Sequence, residues 1–212
     1  MSTVQDASPA NTGAAEIQPA GSEPTPHHFT AEAFFRMIDA GVFGDDDRVF
    51  LRDGRIYEKM AKTQAHAVAG NLAYLTLARL LPAGWFPGGE NPVTIGTSTV
   101  PLPDLVVLRG NPRDYLRRRP EPGDVGLIVE FSLSSLKFDT TTKLGDYAGA
   151  NIPVYWVVNL AANVILVFET PIPAERRYEV ARTYAVGQSI PFRLDEVPIA
   201  EIPAADLLPA SA

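Results

Sequence analysis

The sequence predicts an α/β fold of the α+β type, a mixed β-sheet flanked by helices, and three observations carry that expectation. Short Val/Ile/Leu-rich runs are interleaved with two long helical patterns, turn residues punctuate them, and several runs are apolar at nearly every position rather than at alternate ones. Strands apolar on both faces are interior strands covered by helices on each side. With 212 residues, 46% hydrophobic and 20% charged, the chain belongs to the ordinary globular class and is long enough for one sizeable core.

Residues 1–28 contain no Lys or Arg and no apolar run, which a secretory signal would need, so they read as a disordered tail. One domain is expected over 29–205, followed by a short C-terminal tail, 206–212. "TAEAFFRMIDAG" (30–41) offers a Thr cap, an apolar face and a closing Gly, the marks of a short helix. "RVFLRDGRIYEKM" (48–60) is two strand-like runs around Asp53-Gly54, a strong hairpin signal. "TQAHAVAGNLAYLTLARLL" (63–81) has helical periodicity and ends before Pro82. After a Pro/Gly-rich corner, "NPVTIG" reads as a strand.

"PLPDLVVL" and "VGLIVEFS" are then separated by a polar, basic loop or short surface helix, 109–124. "DTTTKLGDYAGAN" (139–151) looks like a capped helix. "PVYWVVN" and "VILVFET" read as a hairpin or neighbouring strands, "RRYEVARTYAVGQSI" as another pair, and the Pro-rich end as a weak helical turn.

Composition narrows the function. There are no cysteines, which removes disulfides, zinc–thiolate sites and cysteine nucleophiles. A net charge of −7 supplies no global basic field, which speaks against a protein that coats nucleic acid but leaves room for an enzyme with a local patch. No stretch is long and apolar enough to span a membrane; a cytoplasmic protein is expected.

Two of the apolar runs each carry one carboxylate, Asp104 after Pro103 and Glu130 at the end of "VGLIVE". An unpaired charge in such a run is costly, so it is normally paired, neutralised or bound to a metal. If the strands pair, the two carboxylates converge, and two such oxygens suit a hard cation such as Mg²⁺. The plainer alternative is that Asp104 caps a turn and Glu130 pairs with an arginine. Ser132 stands two residues after Glu130, where a nuclease triad would carry a lysine. Asp139, Lys143 and Tyr147, at i, i+4 and i+8, share roughly one helical face, so Lys143 is placed to return its ammonium there or to pair with Asp139.

These residues carry a family resemblance. "PLPDLVVL…GLIVEFSLSSLKFDTTTKLGDYAGANIPVYWVVNL" resembles the Uma-two family of restriction endonucleases, within the PD-(D/E)XK nuclease superfamily. The matching positions are Pro103 and Asp104; Glu130, Ser132 and Ser134; Asp139, Lys143 and Tyr147; and Pro153, Tyr155 and Trp156, with the "DGRIYEKM" hairpin and His66 in the N-terminal half. Phe131 stands where the family usually has Val, and Asn151 where it usually has Gly. The resemblance implies a restriction-endonuclease-like core with an N-terminal β-hairpin and a four- or five-stranded mixed sheet. It also implies Mg²⁺ (or Mn²⁺) on Asp104 and Glu130, Lys143 as the third catalytic residue, and DNA as substrate.

Supporting candidates are Glu90 as a further acidic group, Gln64 and His66 at the start of the long helix, and Ser132, Asp139 and Tyr147 around the lysine. For DNA, the concentrated basic patch is "RDYLRRR", giving Arg113, Arg117, Arg118 and Arg119, with Arg109 nearby. Apolar residues in "VYWVV" suggest a homodimer, which would suit cleavage of both strands. The competing function, from another class, is a catalytically silent nuclease-fold module used for binding or assembly.

Overall fold

The computed structural model of the protein describes residues 25–44 and 46–209, so the tail expected over 1–28 and the last three residues lie largely or wholly outside the described residues. Helix α1 (Ala31–Asp39) starts at Thr30, whose hydroxyl accepts from the Ala33 N–H at 3.1 Å. The hairpin β1 (Val49–Arg52) and β2 (Arg55–Glu58) turns at Asp53-Gly54, both with positive φ (49° and 73°), as the two-residue turn requires. Helix α2 (Gln64–Leu80) is capped by Thr63 and stops where Leu81 turns extended ahead of Pro82.

The main sheet has six strands in the order β3-β4-β5-β6-β7-β8. They are β3 (Trp85–Gly89), β4 (Leu105–Arg109), β5 (Val125–Ser132), β6 (Val154–Asn159), β7 (Val164–Ile172) and β8 (Arg177–Ala185). Only β5 and β6 run parallel; the other neighbours are antiparallel. Between β5 and β6 the chain forms a near-continuous helix: α3 (Leu136–Phe138), a π turn (Asp139–Lys143) and α4 (Leu144–Gly149). A second hairpin, β9 (Ser189–Leu194) and β10 (Val197–Pro203), follows the sheet.

Strand alternation sends odd residues of β4, and of β5 from Leu127 on, to one face and even residues to the other. Leu105, Val107, Leu127, Val129 and Phe131 pack with Ala69, Ala73 and Leu77 of α2, whereas Val106, Leu108 and Ile128 pack with Tyr147 and Ala148 of α4. Full burial of a residue such as Leu77 contributes about 1.5–3 kcal/mol. A smaller core joins α1 to the first hairpin through Phe34, Leu51 and Val100, and Leu51 exchanges backbone hydrogen bonds with Val100. That contact sets the hairpin against the loop leading into β4.

Several expectations are corrected. "NPVTIG" forms no strand: Pro92 has no N–H to give, and Val93, Thr94 and Ile95 donate to Pro101, Pro120 and Thr99 in surrounding loops. The strand lies earlier, in "WFPGG", where an edge position tolerates Pro87. The sheet has six strands rather than four or five. "RRYEVARTYAVGQSI" does not pair with itself: β8 adds to β7, and β9 pairs with β10, while the expected C-terminal helical turn is a short 3₁₀ turn at Ala204–Asp206 that follows β10. Leu207 and Leu208 are buried in the main core, so packing extends past 205. Tyr155, Trp156, Val157 and Val158 are also buried in β6, an interior strand, so only the half-buried Val154 of "VYWVV" reaches the surface and the expected dimer surface is not there.

Candidate active site

Register and alternation bring the two strand carboxylates together. Leu105 pairs with Val129 and Val106 with Ile128, so the same register puts Asp104 across from Glu130, both on the α4 face. A bulge at Gly126 ends this register, since Leu108 pairs with Val125; a Cβ on Gly126 would come within 2.6 Å of Leu194 and 2.7 Å of Trp85.

Each carboxylate is oriented by a different donor. Asp104 Oδ2 accepts the Phe131 N–H at 2.9 Å, and Glu130 Oε1 accepts the Tyr147 hydroxyl at 2.8 Å. The remaining oxygens meet lysines. Lys143 Nζ is 2.9 Å from Glu130 Oε2 and 3.0 Å from Asp139 Oδ1, while Lys59 Nζ is 2.9 Å from Asp104 Oδ1 and 3.8 Å from Glu130 Oε2. Asp139 is completed by Ser135, whose hydroxyl donates to Oδ2, and Ser132 Oγ lies 3.3 Å from Ser135 Oγ. Tyr155 donates to the Asp139 carbonyl at 3.0 Å. The π turn at Asp139–Lys143 inserts an extra residue into the helix just where it aims Lys143; such turns recur at functional sites.

Burial raises the Asp104 carboxyl, but Lys59, the Phe131 N–H and Lys143 together hold it below the usual aspartate value. Glu130, wholly buried, stays above the usual glutamate value because desolvation outweighs the attraction of Lys143 and Lys59. Desolvation opposes the Lys143 charge, yet Glu130 and Asp139 keep its pKa above that of a free lysine. Burial first and Glu130 second push Tyr147 far up, so it remains a hydrogen-bond donor.

Asp104, Glu130, Asp139, Lys143 and Lys59 line a cleft of ≈ 360 Å³, whose walls also carry Arg48, Glu58, Lys62, Thr63, His66 and Phe138. His66 Nδ1 is 2.9 Å from the Thr63 hydroxyl, whereas Gln64 is exposed and does not line the cleft. Glu90 follows β3 and donates its N–H to the Asp104 carbonyl at 3.2 Å, with a left-handed φ of 49°. Its carboxylate goes instead to Arg48 (Nε 2.8 Å) and Lys62 (3.3 Å).

The arginine patch lies elsewhere. Arg109 ends β4, some ~16 Å along the strand from Asp104, and pairs with Asp195 at 2.7 Å. Arg118 pairs with Asp124 through two hydrogen bonds, and Arg119 pairs with Asp39. Arg113 and Arg117 are exposed on the same loop, and none of the five lines the cleft.

Sequence reasoning missed Lys59, Arg48 and Lys62. The first hairpin was legible, and its closing "EKM" carries Lys59, but no local pattern says that this hairpin docks beside Pro103-Asp104.

Fold and site together define a mixed sheet flanked by helices, with paired carboxylates at one end of two interior strands and a helix-borne lysine beside them. A crystal structure titled as that of "a putative nuclease belonging to DUF820" from Anabaena variabilis ATCC 29413 has this fold. It is 12% identical, with a TM-score of 0.62, covering 84% of this chain and 97% of that one. No curated protein matches the sequence. The family model Uma2, described as "Putative restriction endonuclease", matches residues 31–195, and the chain belongs to that family.

Proposed function

We propose that the protein is a metal-dependent endonuclease that hydrolyses DNA phosphodiester bonds at Asp104, Glu130 and Lys143. The observation that supports this best is the meeting of two strand carboxylates with a lysine in an open cleft. Family membership and the nuclease named in the related structure point the same way.

The donor set suits Mg²⁺ or Mn²⁺. Asp104 Oδ1 and Glu130 Oε2 are hard oxygens, and Mg²⁺ commonly needs only one or two carboxylates beside water and substrate phosphate. Among the described residues, no group of three His, Asp or Glu side chains forms a fuller cage. When bound, such a cation supplies Lewis acidity and a water of lowered pKa. The chain's own part is positional: Tyr147 fixes the rotation of Glu130, and Asp139, held by Ser135, fixes the Lys143 ammonium. From there Lys143 stabilises negative charge developing on a phosphoryl oxygen. Arg48, Lys62 and His66 on the cleft wall meet the phosphate backbone, in place of the arginine loop.

The test is cleavage of plasmid and linear DNA with Mg²⁺ or Mn²⁺ by the parent, Asp104→Ala and Lys143→Met. Cation-dependent cutting by the parent, lost in both variants, is expected. A parent that cuts nothing, or an Asp104→Ala protein that cuts as well, overturns the proposal; binding of DNA without cutting would leave the silent module.

A further inference from the structure

A cation already bridges the two carboxylates, and it is Lys59. Its backbone is fixed by the hairpin, where its N–H donates to the Arg48 carbonyl at 2.6 Å. Its ammonium donates to the Leu102 carbonyl at 2.7 Å, one residue before Pro103, and reaches Asp104 Oδ1 at 2.9 Å and Glu130 Oε2 at 3.8 Å. The opposite oxygens are taken by the Phe131 N–H and the Tyr147 hydroxyl. Lys59 therefore stands on the same two oxygens that a divalent cation would need.

We propose that Lys59 is a built-in counter-ion that holds the carboxylate pair in the metal-free protein and must be displaced for the metal to bind. This rests on the metal-dependent reading above. Without metal, Asp104, Glu130 and Asp139 face two ammoniums, Lys59 and Lys143, so the group balances to within one charge. Adding a divalent cation with Lys59 still in place would crowd it with two ammoniums, Lys59 and the Lys143 already on Glu130 Oε2, around one pair of oxygens, which Coulomb repulsion opposes. The displaced ammonium stays in a cleft whose wall carries Glu58 together with Arg48 and Lys62, both paired with Glu90. A phosphate entering the cleft offers the freed ammonium an anion in place of its carboxylates, so loading of the metal is coupled to arrival of the nucleic acid backbone. Lys59 acts here as a positioning residue, exchanging its carboxylates for a phosphate.

Calorimetric titration of Mn²⁺ into the parent and Lys59→Met, with and without a DNA duplex, tests this directly. Without DNA, Lys59→Met should bind Mn²⁺ at least tenfold tighter than the parent, and added DNA should improve the parent's affinity more than the variant's. Equal or weaker binding by a folded Lys59→Met, while the parent binds, overturns the role of Lys59 and leaves the metal reading standing. Binding by neither protein, even with DNA, overturns both. Should Lys59→Met fail to fold, lysine acylation of the parent, read by mass spectrometry, decides. Saturating Mn²⁺ with duplex should change the labelling of Lys59 relative to Lys62 if it leaves its carboxylates, and an unchanged ratio overturns the proposal.

Discussion

Replacing Lys143 with methionine keeps the apolar stem and removes only the ammonium. In the parent that ammonium lies 2.9 Å from Glu130 and 3.0 Å from Asp139, and both carboxylates have side chains only 1% exposed. Removing one partner of such a buried pair costs about 3–5 kcal/mol, because the remaining charge loses its compensation. A domain of this size has roughly 5–15 kcal/mol of stability, and about 2–4 °C of melting temperature accompanies each kcal/mol. The variant should therefore melt about 6–20 °C lower.

The loss should also depend on pH. Glu130 already titrates above its ordinary value, so between the two values the folded protein holds more protons than the unfolded chain, and stability falls as pH rises through that window. Without Lys143 the folded value rises further, and the window reaches higher pH. The deficit should then be larger at about pH 7.5 than at about pH 5.5, by about 1.4 kcal/mol for each unit that Glu130 moves within that range. Urea unfolding followed by fluorescence of the buried Trp156 measures it. Adding Glu130→Gln to the variant should recover part of the loss, since the orphaned charge is gone. A deficit below about 1 kcal/mol, or one of equal size at both pH values, would refute this reasoning.

Two further outcomes follow from the packing. Burial raises the phenols of Tyr147, Tyr155 and Tyr178, so the native state keeps protons that the unfolded chain releases above about pH 10. Stability should fall as pH rises past that point, and the phenolate absorbance of these three should appear only with unfolding; their titration in the folded state would contradict it. Gly126→Ala places a methyl against Leu194 and Trp85, which should cost about 1–3 kcal/mol, read as a lower urea midpoint; an unchanged midpoint would show that the bulge has slack.

Features set by neighbours along the chain are legible in the sequence itself. Asp53-Gly54 closes the first hairpin because its backbone needs positive φ at both positions, and Thr30 and Thr63 begin helices because their hydroxyls satisfy free N–H groups. Asn151, in the usual place of Gly, adopts the left-handed conformation with φ 60° and lets Ile152 donate back to Tyr147. The motif positions also flagged Asp104, Glu130 and Lys143.

Tertiary structure decided which of those residues meet. Alternation puts Asp104 and Glu130 on one face only once the register of β4 against β5 is known, and a one-residue slip would separate them. "WFPGG" rather than "NPVTIG" is the edge strand because it pairs with β4, Trp85 opposite Arg109 and Gly89 opposite Leu105, a contact that no local window contains. Lys59 entered the site for the same reason: the hairpin that carries it docks through Leu51 onto Val100. The sequence by itself determined the local elements and the candidate carboxylates. Only the fold decided that a lysine from the first hairpin shares their oxygens, because pairing across the sheet and docking between layers depend on contacts that no local window contains.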